Sequence, residues 1–464
     1  MKTRGFRAAL LMAAAASVLA FASGAKAQDK DDHDSHSNDN KWPYAMTHKS
    51  PVLAVVGDVS CQPGEEVPGE SPKVEVCTDP APSAVGPYTA TSLWQSQQAT
   101  ATQIETMKPD AVALLGDLQY QVGRYSDFKG SFDWTYGAFK FLHRPAPGNH
   151  EFYNEHGEMG DSGYGYFSYY NGFQGPLAVD TVHNTVTFPT ATIPNPCPVA
   201  SASCKAAGGA AVSNSEPIPL ADGQGGHFEE SGGNYSTPQQ TIGVGDGWYS
   251  YNLGSWHLIS LNIECYPMPT MEPPNGADGC MPTGSWFKSE LDWLQKDLQE
   301  DHSACTLAYW HQPLFSADNG LSEEGITSKY FWQLLYDHHA DLVLNGHDHV
   351  YARYKHLDPN GNPNPEGIRE FIVGTGGETL DAVATTGKTS DPSGNVNFNA
   401  DNLEKYSGDF WGVMYLTLDE HGYKWDFKPA MELPSDSAGA FSDKGSGVCH
   451  GSPNWDRGDD DHDR

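Results

Sequence analysis

Positive charge is scarce in this chain. Its 464 residues carry 27 Lys and Arg against 60 Asp and Glu, a formal net charge of −33. Binding to a phosphate backbone draws on Lys and Arg, so no structural nucleic-acid partner is expected, and an anionic lipid surface is disfavoured on the same ground. Long apolar runs are also missing. Beyond Ala22 no segment approaches the ~18 uncharged apolar residues of a spanning helix, so no membrane anchor is expected. No C-x-x-C occurs among the eight cysteines, which argues against a cysteine-based zinc site. There is no internal repeat. Gly374-Thr375-Gly376-Gly377 follows a strand signal but matches neither a dinucleotide nor a Walker pattern, and suits a close backbone approach at a cleft.

The start reads as a secretory leader over residues 1–27. Lys2, Arg4 and Arg7 are basic, Ala8 to Ala22 is apolar but short for a spanning helix, and Ala25-Lys26-Ala27 fits an A-x-A cleavage site. The expected product is secreted or periplasmic, begins near Gln28, and is more acidic for the loss of Lys2, Arg4, Arg7 and Lys26. Cys61, Cys77, Cys197, Cys204, Cys265, Cys280, Cys305 and Cys449 suit disulfides in an oxidising compartment. Pairing stays open. Cys197 with Cys204 and Cys265 with Cys280 are local options, and Cys449 is placed to staple the C-terminal tail to the body.

Residues 28–45 are acidic and His-rich with few apolar side chains, and are expected to be disordered; 433–464 form a tail. Between them lies a body, 46–432, with a Gly/Ser/Pro-rich insertion at about 180–247. Val52–Val56, Ala111–Leu115, Trp256–Asn262, Thr306–Tyr309, Leu342–Leu344 and Phe371–Val373 read as buried strands. Leu253-Gly254-Ser255 and Glu420-His421-Gly422 mark hairpin turns. Phe287, Leu291, Leu294 and Leu298 repeat at helical spacing, and Leu93–Met107 and Tyr330–His338 are further helix candidates. Strands alternating with helices indicate an α/β architecture.

Several of the strand signals end in the same kinds of residue. Asp58 follows Val56-Gly57, Asp117 follows Leu115-Gly116, and Tyr120 lies three residues beyond. Asn149-His150 sits in a turn after Pro147-Gly148, His311 ends an apolar run, and His347 and His349 alternate in Gly346-His347-Asp348-His349. Singly, each has a bland explanation: a turn aspartate, a capping asparagine, a core histidine. Together they supply carboxylate, phenol, amide and imidazole donors, the set a pair of divalent or trivalent cations accepts. Two such cations about 3.5–4 Å apart clamp both oxygens of an in-line displacement, and they would offset the negative field of an acidic chain toward a phosphate ester.

The order Asp, Gly-Asp, Gly-Asn-His, lone His, Gly-His-x-His resembles the calcineurin-like metallophosphoesterase superfamily over roughly residues 50–430. Gly116-Asp117-Leu118-Gln119-Tyr120 resembles its purple acid phosphatase branch, and Val59-Ser60 after Asp58 lacks the Asp-x-His of many other members. The resemblance implies an α/β fold of two mixed β-sheets packed as a sandwich flanked by helices. It implies that Asp58, Asp117, Tyr120 and His349 hold a first metal, Fe(III), that Asp117 bridges, and that Asn149, His311 and His347 complete a second site for Zn, Mn or Fe(II). His150 would be no ligand but would contact the phosphoryl group and assist the leaving oxygen. Ser60 stands where purple acid phosphatases commonly have Gly, and the histidines many members carry soon after the lone His are missing from Gln312 to Gly325.

The implied activity is hydrolysis of a small-molecule phosphate monoester by in-line attack of a metal-bound hydroxide. A phosphodiesterase or nucleotidase would use the same centre, and a noncatalytic exported protein that binds metal or phosphate is the rival of a different class. Glu151 is placed either to orient His150 or to form a surface salt bridge. Arg353 is placed to bind phosphate or to pair with an acid. Oligomeric state is not legible.

Overall fold

The strands of the two large sheets are, in chain order, Val52–Val56 (β1), Ala111–Leu115 (β2), His143–Ala146 (β3), Tyr249–Leu253 (β4), Trp256–Ser260 (β5), Cys305–Tyr309 (β6), Leu342–Asn345 (β7), Tyr351–Leu357 (β8), Ile368–Val373 (β9), Leu403–Ser407 (β10), Phe410–Asp419 (β11), Gly422–Glu432 (β12) and Asp443–Val448 (β13). The computed structural model describes residues 50–61, 93–124, 127–153, 163–171, 178–180, 185–187, 192–194, 247–264, 285–317, 323–390, 396–432 and 440–451. All of them fall within one unit, Pro43–Arg464. The expected leader, the 28–45 segment, most of the 180–247 insertion, and Cys77, Cys197, Cys204, Cys265 and Cys280 lie outside them.

The first sheet runs β13-β12-β11-β1-β2-β3, and the second β10-β8-β9-β7-β6-β5-β4. Both are mixed: β1, β2 and β3 are parallel, as are β5, β6, β7 and β9, while β11, β12 and β13, and β8 and β10, run antiparallel. Of the parallel strands, β1, β2, β6 and β7 are the apolar runs, and β2, β5, β6 and β7 are buried along their whole length, as strands covered on both faces must be. The sheets face each other. The Tyr249 and Tyr309 hydroxyls of the second sheet donate to the carbonyls of Pro145 and Arg144 in the first, at 3.0 and 3.1 Å, and the Trp256 indole donates to the Asp419 carbonyl at 2.8 Å.

Helices cover the outer faces. Leu93–Met107 (α1) packs on β11 and β12. Ser285–Glu300 (α2) and Glu323–Asp337 (α3) lay Phe287, Leu294, Leu298, Phe331, Trp332 and Leu335 against Ile259, Ala308, Val343 and Ile372 of the second sheet. Each such side chain is worth about 1.5–3 kcal/mol of burial. Among the described residues no helix is long and apolar enough to cross a membrane. The two expected hairpins form: Leu253 pairs with Trp256 and Asp419 with Gly422.

Strand β13 brings Cys449 to the second sheet, where it is disulfide-bonded to Cys305 at the start of β6. The staple expected of Cys449 is therefore present. Most important for function, β1, β2, β3, β6 and β7 end in the loops that carry Asp58, Asp117, Asn149, His311 and His347. Ligands of open α/β sheets bind outside the carboxyl ends of strands, and here strand ends from both sheets meet.

Candidate metal centre

Three of the loops turn through left-handed backbone. Asp58, Asp117 and His347 have φ of 58°, 49° and 72°, a conformation uncommon outside glycine and concentrated at functional sites. Glycines let the loops close on one another. A Cβ on Gly116, whose φ is +89°, would lie 2.6 Å from His311 Nδ1, and one on Gly148 would lie 2.3 Å from Asp117 Oδ1.

The structure brings all seven expected donors together in two overlapping clusters. Tyr120 Oη lies 2.8 Å from Asp58 Oδ1, 3.0 Å from Asp117 Oδ2 and 2.9 Å from His349 Nε2. His311 Nε2 lies 3.0 Å from the same Asp117 Oδ2, 3.0 Å from Asn149 Oδ1 and 3.3 Å from His347 Nδ1. Asp117 Oδ2 thus belongs to both. Its other oxygen, Oδ1, accepts the His150 backbone N–H at 2.8 Å, and Asp58 Oδ2 accepts that of His347 at 3.0 Å.

The donor chemistry fits a pair of cations. Adjacent donors on one cation with bonds of ~2.1 Å sit about 3 Å apart, which is the spacing in each cluster. Tyr120 has one proton for three acceptors. The Nδ1 atoms of His311 and His349 lie 2.8 and 2.6 Å from the carbonyls of Leu115 and Thr379. Carbonyls only accept, so these nitrogens carry hydrogen and leave both Nε2 lone pairs facing the clusters, the arrangement that orients metal-binding histidines. Asn149 Nδ2 donates to Tyr153 Oη at 2.9 Å, which turns Oδ1 toward His311 Nε2. Acceptors therefore face acceptors, and a cation between them resolves the conflict.

Without a cation, protons fill this role. Burial opposes charge on His311, but Asp117 outweighs it and raises the imidazole to about 10. Burial likewise lowers His349, and the Asp58 hydrogen bond and charge raise it to about 10. Burial and the neighbouring His311 push His347 down to about 4. Burial, then Asp117 and Asp58, hold the Tyr120 phenol well above its usual range. Burial would raise Asp117, yet His311 and His150 hold it well below the usual carboxylate range.

His150 stands beside these clusters. Its Nδ1 donates to the Gln121 carbonyl at 2.8 Å, its Nε2 lies 3.8 Å from Asp117 Oδ2, and its ring packs 4.1 Å from Tyr120 and 4.7 Å from Tyr153. Asp58, Asp117, Tyr120 and His311 are at most 2% exposed, whereas the His150 and His349 side chains are 17% and 18% exposed. The open side of the site is theirs.

Glu151 differs from both roles expected of it. It is buried, and its carboxylate accepts the backbone N–H groups of Asp117, Leu118, Gln119 and Gly148 at 3.0, 2.8, 3.3 and 2.7 Å. It ties the β2 loop to the β3 loop rather than orienting the His150 ring. Asp348 does similar work, accepting from Ser316 Oγ and the Ala317 N–H after β6. Adjacency in Asn149-His150-Glu151 was the one signal for the first, and nothing local marked the Thr379 carbonyl. Arg353 takes the structural option: it is buried and pairs with Asp443 at 2.8 Å and with Glu404. Gly374 allows the close approach expected of its segment, since a Cβ there would meet the Asp348 carbonyl at 2.2 Å.

The Calcineurin-like phosphoesterase family model matches residues 52–351, more than half of the chain. The chain belongs to the calcineurin-like phosphoesterase family. Curated relatives of this phosphoesterase-family chain include purple acid phosphatase 15 of Arabidopsis thaliana, 28% identical over 134 residues, which are 28% of this chain and 22% of the relative. Acid phosphatase type 7 of Homo sapiens is 26% identical over 177 residues, covering 32% of this chain and 37% of the relative. The match thus spans well under half the length of these relatives. Both names accord with the purple acid phosphatase resemblance of Gly116–Tyr120. Among solved structures, a purple acid phosphatase from yellow lupin (Lupinus luteus) seeds covers 87% of this chain and 55% of its own at 15% identity and a TM-score of 0.45. A dimetal phosphatase from Danio rerio covers 82% and 97%, at 12% identity and a TM-score of 0.40.

Proposed function

We propose that this chain is an exported dimetal phosphoesterase that hydrolyses small-molecule phosphate monoesters. The observation that carries the reading is the shared oxygen: Asp117 Oδ2 stands 3.0 Å from both Tyr120 Oη and His311 Nε2, the place of a bridging carboxylate. Asp58, Asp117, Tyr120 and His349 would hold one cation, and Asn149, His311 and His347, with Asp117, the other. Bound there, the pair would supply an activated water and neutralise charge on the phosphoryl oxygens.

The two donor sets differ in charge. The first contains two carboxylates and a phenol, and the second neutral amide and imidazole groups plus the shared carboxylate. That difference supports a trivalent cation, Fe(III), in the first position and Zn, Mn or Fe(II) in the second. His150 holds Nδ1–H on the Gln121 carbonyl, which leaves Nε2 to carry a proton to the leaving alkoxide on the open side. Buried Asp58, Asp117, Tyr120 and His311 form a floor from which bulk water is excluded.

Export rests on the leader reading of residues 1–27 and is supported by the Cys305–Cys449 disulfide, a bond of oxidising compartments. The same reading divides the chain into that leader, the 28–45 segment, a catalytic body over 46–432 and the tail, of which Asp443–Val448 joins the first sheet.

The test uses the full chain with an aryl phosphate monoester and the matching diester. His150→Ala is expected to lower monoester turnover about 10²–10⁴-fold with metal content unchanged. Loss of metal in that variant would overturn the role given to His150, and faster turnover of the diester would overturn the monoesterase assignment.

A further inference from the structure

The donor of the second cluster with the least intrinsic preference for its orientation is Asn149. A carboxamide offers oxygen at one end and two N–H donors at the other, and only the oxygen serves a cation. Two side chains meet the amide in the orientation that turns its oxygen to His311. Tyr153, four residues on and half-buried, accepts from Asn149 Nδ2 at 2.9 Å. Gln312, buried and next to His311, donates from Nε2 to Asn149 Oδ1 at 3.3 Å. With Oδ1 toward His311, the Asn149 amide gives an N–H to Tyr153 Oη and takes the Gln312 donor on its oxygen, so both contacts are met in the orientation that a cation needs. The Gln312 backbone is anchored beside the site, since its main-chain carbonyl accepts from Trp310 Nε1 at 2.7 Å and Ser328 Oγ at 2.9 Å.

We propose that Tyr153 and Gln312 are positioning residues of the second cation site, which hold the Asn149 amide oxygen toward the cation and so set its affinity apart from that of the first. The inference rests on the dimetal reading above. It adds an oxygen-orienting clamp drawn from two loops, those after β3 and β6. The Tyr153 ring also packs 4.7 Å from His150, so hydroxyl and ring have separate duties.

The experiment strips the full chain of metal and titrates it with Zn²⁺ against a chromophoric chelator, resolving a first and a second bound ion. Tyr153→Phe keeps the ring and removes the acceptor. Gln312→Leu keeps the bulk and removes the donor. Each is expected to weaken the second Zn²⁺ about 10-fold or more, the usual effect of losing an outer hydrogen bond at a metal site, and to leave the first unchanged. The unchanged first ion also reports that the fold stands. Wild-type affinity for the second Zn²⁺ in both variants would overturn the inference while leaving the dimetal reading intact. Equal weakening of both ions would also overturn it, as general loss of structure. A wild-type chain that binds no Zn²⁺ would overturn the dimetal reading itself, and the clamp with it.

Discussion

At the scale of residues the chemistry centres on the Tyr120 oxygen, which has Asp58 Oδ1, Asp117 Oδ2 and His349 Nε2 within 3.0 Å. In the metal-free chain His311 and His349 are held up to about 10 and the phenol well above its usual range. All three are protonated at neutral pH, so a cation that enters must expel protons. The sign follows: raising the pH removes the competitor, and apparent metal affinity climbs as pH rises toward about 10. Calorimetry of Zn²⁺ uptake near pH 7 in two buffers of different ionisation enthalpy should show net proton release. Equal heats in both buffers would count against these assignments. Tyr120→Phe removes the phenol alone and should abolish any visible ferric–phenolate absorption while keeping the second ion. Glu151 presents a different kind of residue effect. Glu151→Ala leaves four buried backbone donors without their acceptor and should cost about 2–4 kcal/mol in a denaturant titration. The candidate donors were legible in the sequence because most are an Asp, His or Tyr placed just past a strand signal, and Asn149 because Gly148-Asn149-His150 completes the motif order. Glu151, Tyr153 and Gln312 were not, because their work is done through the backbone or through another side chain, which only the folded chain displays.

Four of the five strands that end at the site, all but β3, are the ones the sequence shows best. β1, β2, β6 and β7 are apolar runs because they are buried on both faces, and the same burial makes their ends the rigid support for the donors. β3 was not visible. His143-Arg144-Pro145-Ala146 is polar by composition, yet His143 is buried among the rings of Phe132, Tyr136, Phe139 and Tyr170. β13 was hidden for another reason. Gly445 and Gly447 lower its strand signal, but they leave room for rings of the neighbouring strand: a Cβ on Gly445 would meet the Trp425 ring at 2.2 Å, and one on Gly447 the Tyr423 ring at 2.4 Å. β8 mixes Arg353 into a buried strand, where Asp443 of β13 neutralises it. At the site, loop closure is the element-scale requirement. Gly148→Ala would drive a Cβ into the Asp117 backbone nitrogen at 2.4 Å as well as its carboxylate. The backbone cannot step aside, and the substitution should destabilise by about 2 kcal/mol or more and reduce the metal content measured by elemental analysis.

The whole molecule sets two sheets face to face so that loops from the strand ends of both meet around the Asp117 carboxylate, and closes the chain with a disulfide across 144 residues. A loop of that length gives the bond a large effect on the unfolded chain, and Cys305→Ser with Cys449→Ser should lower stability by roughly 2–4 kcal/mol. Because the bond lies at the start of β6 and the donor at its end, metal stoichiometry should not change. The excess of acid over base, 60 against 27, would repel a phosphate ester from the metal-free protein, so on the proposed reading bound cations would serve approach as well as chemistry. Metals per chain, counted on the purified full-length protein beside its turnover of an aryl phosphate before and after chelation, test this account most directly. It predicts about two ions per chain, turnover that disappears on chelation, and recovery when metal is restored. A chain that binds no metal after reconstitution, or that hydrolyses the ester equally well without it, would contradict the account.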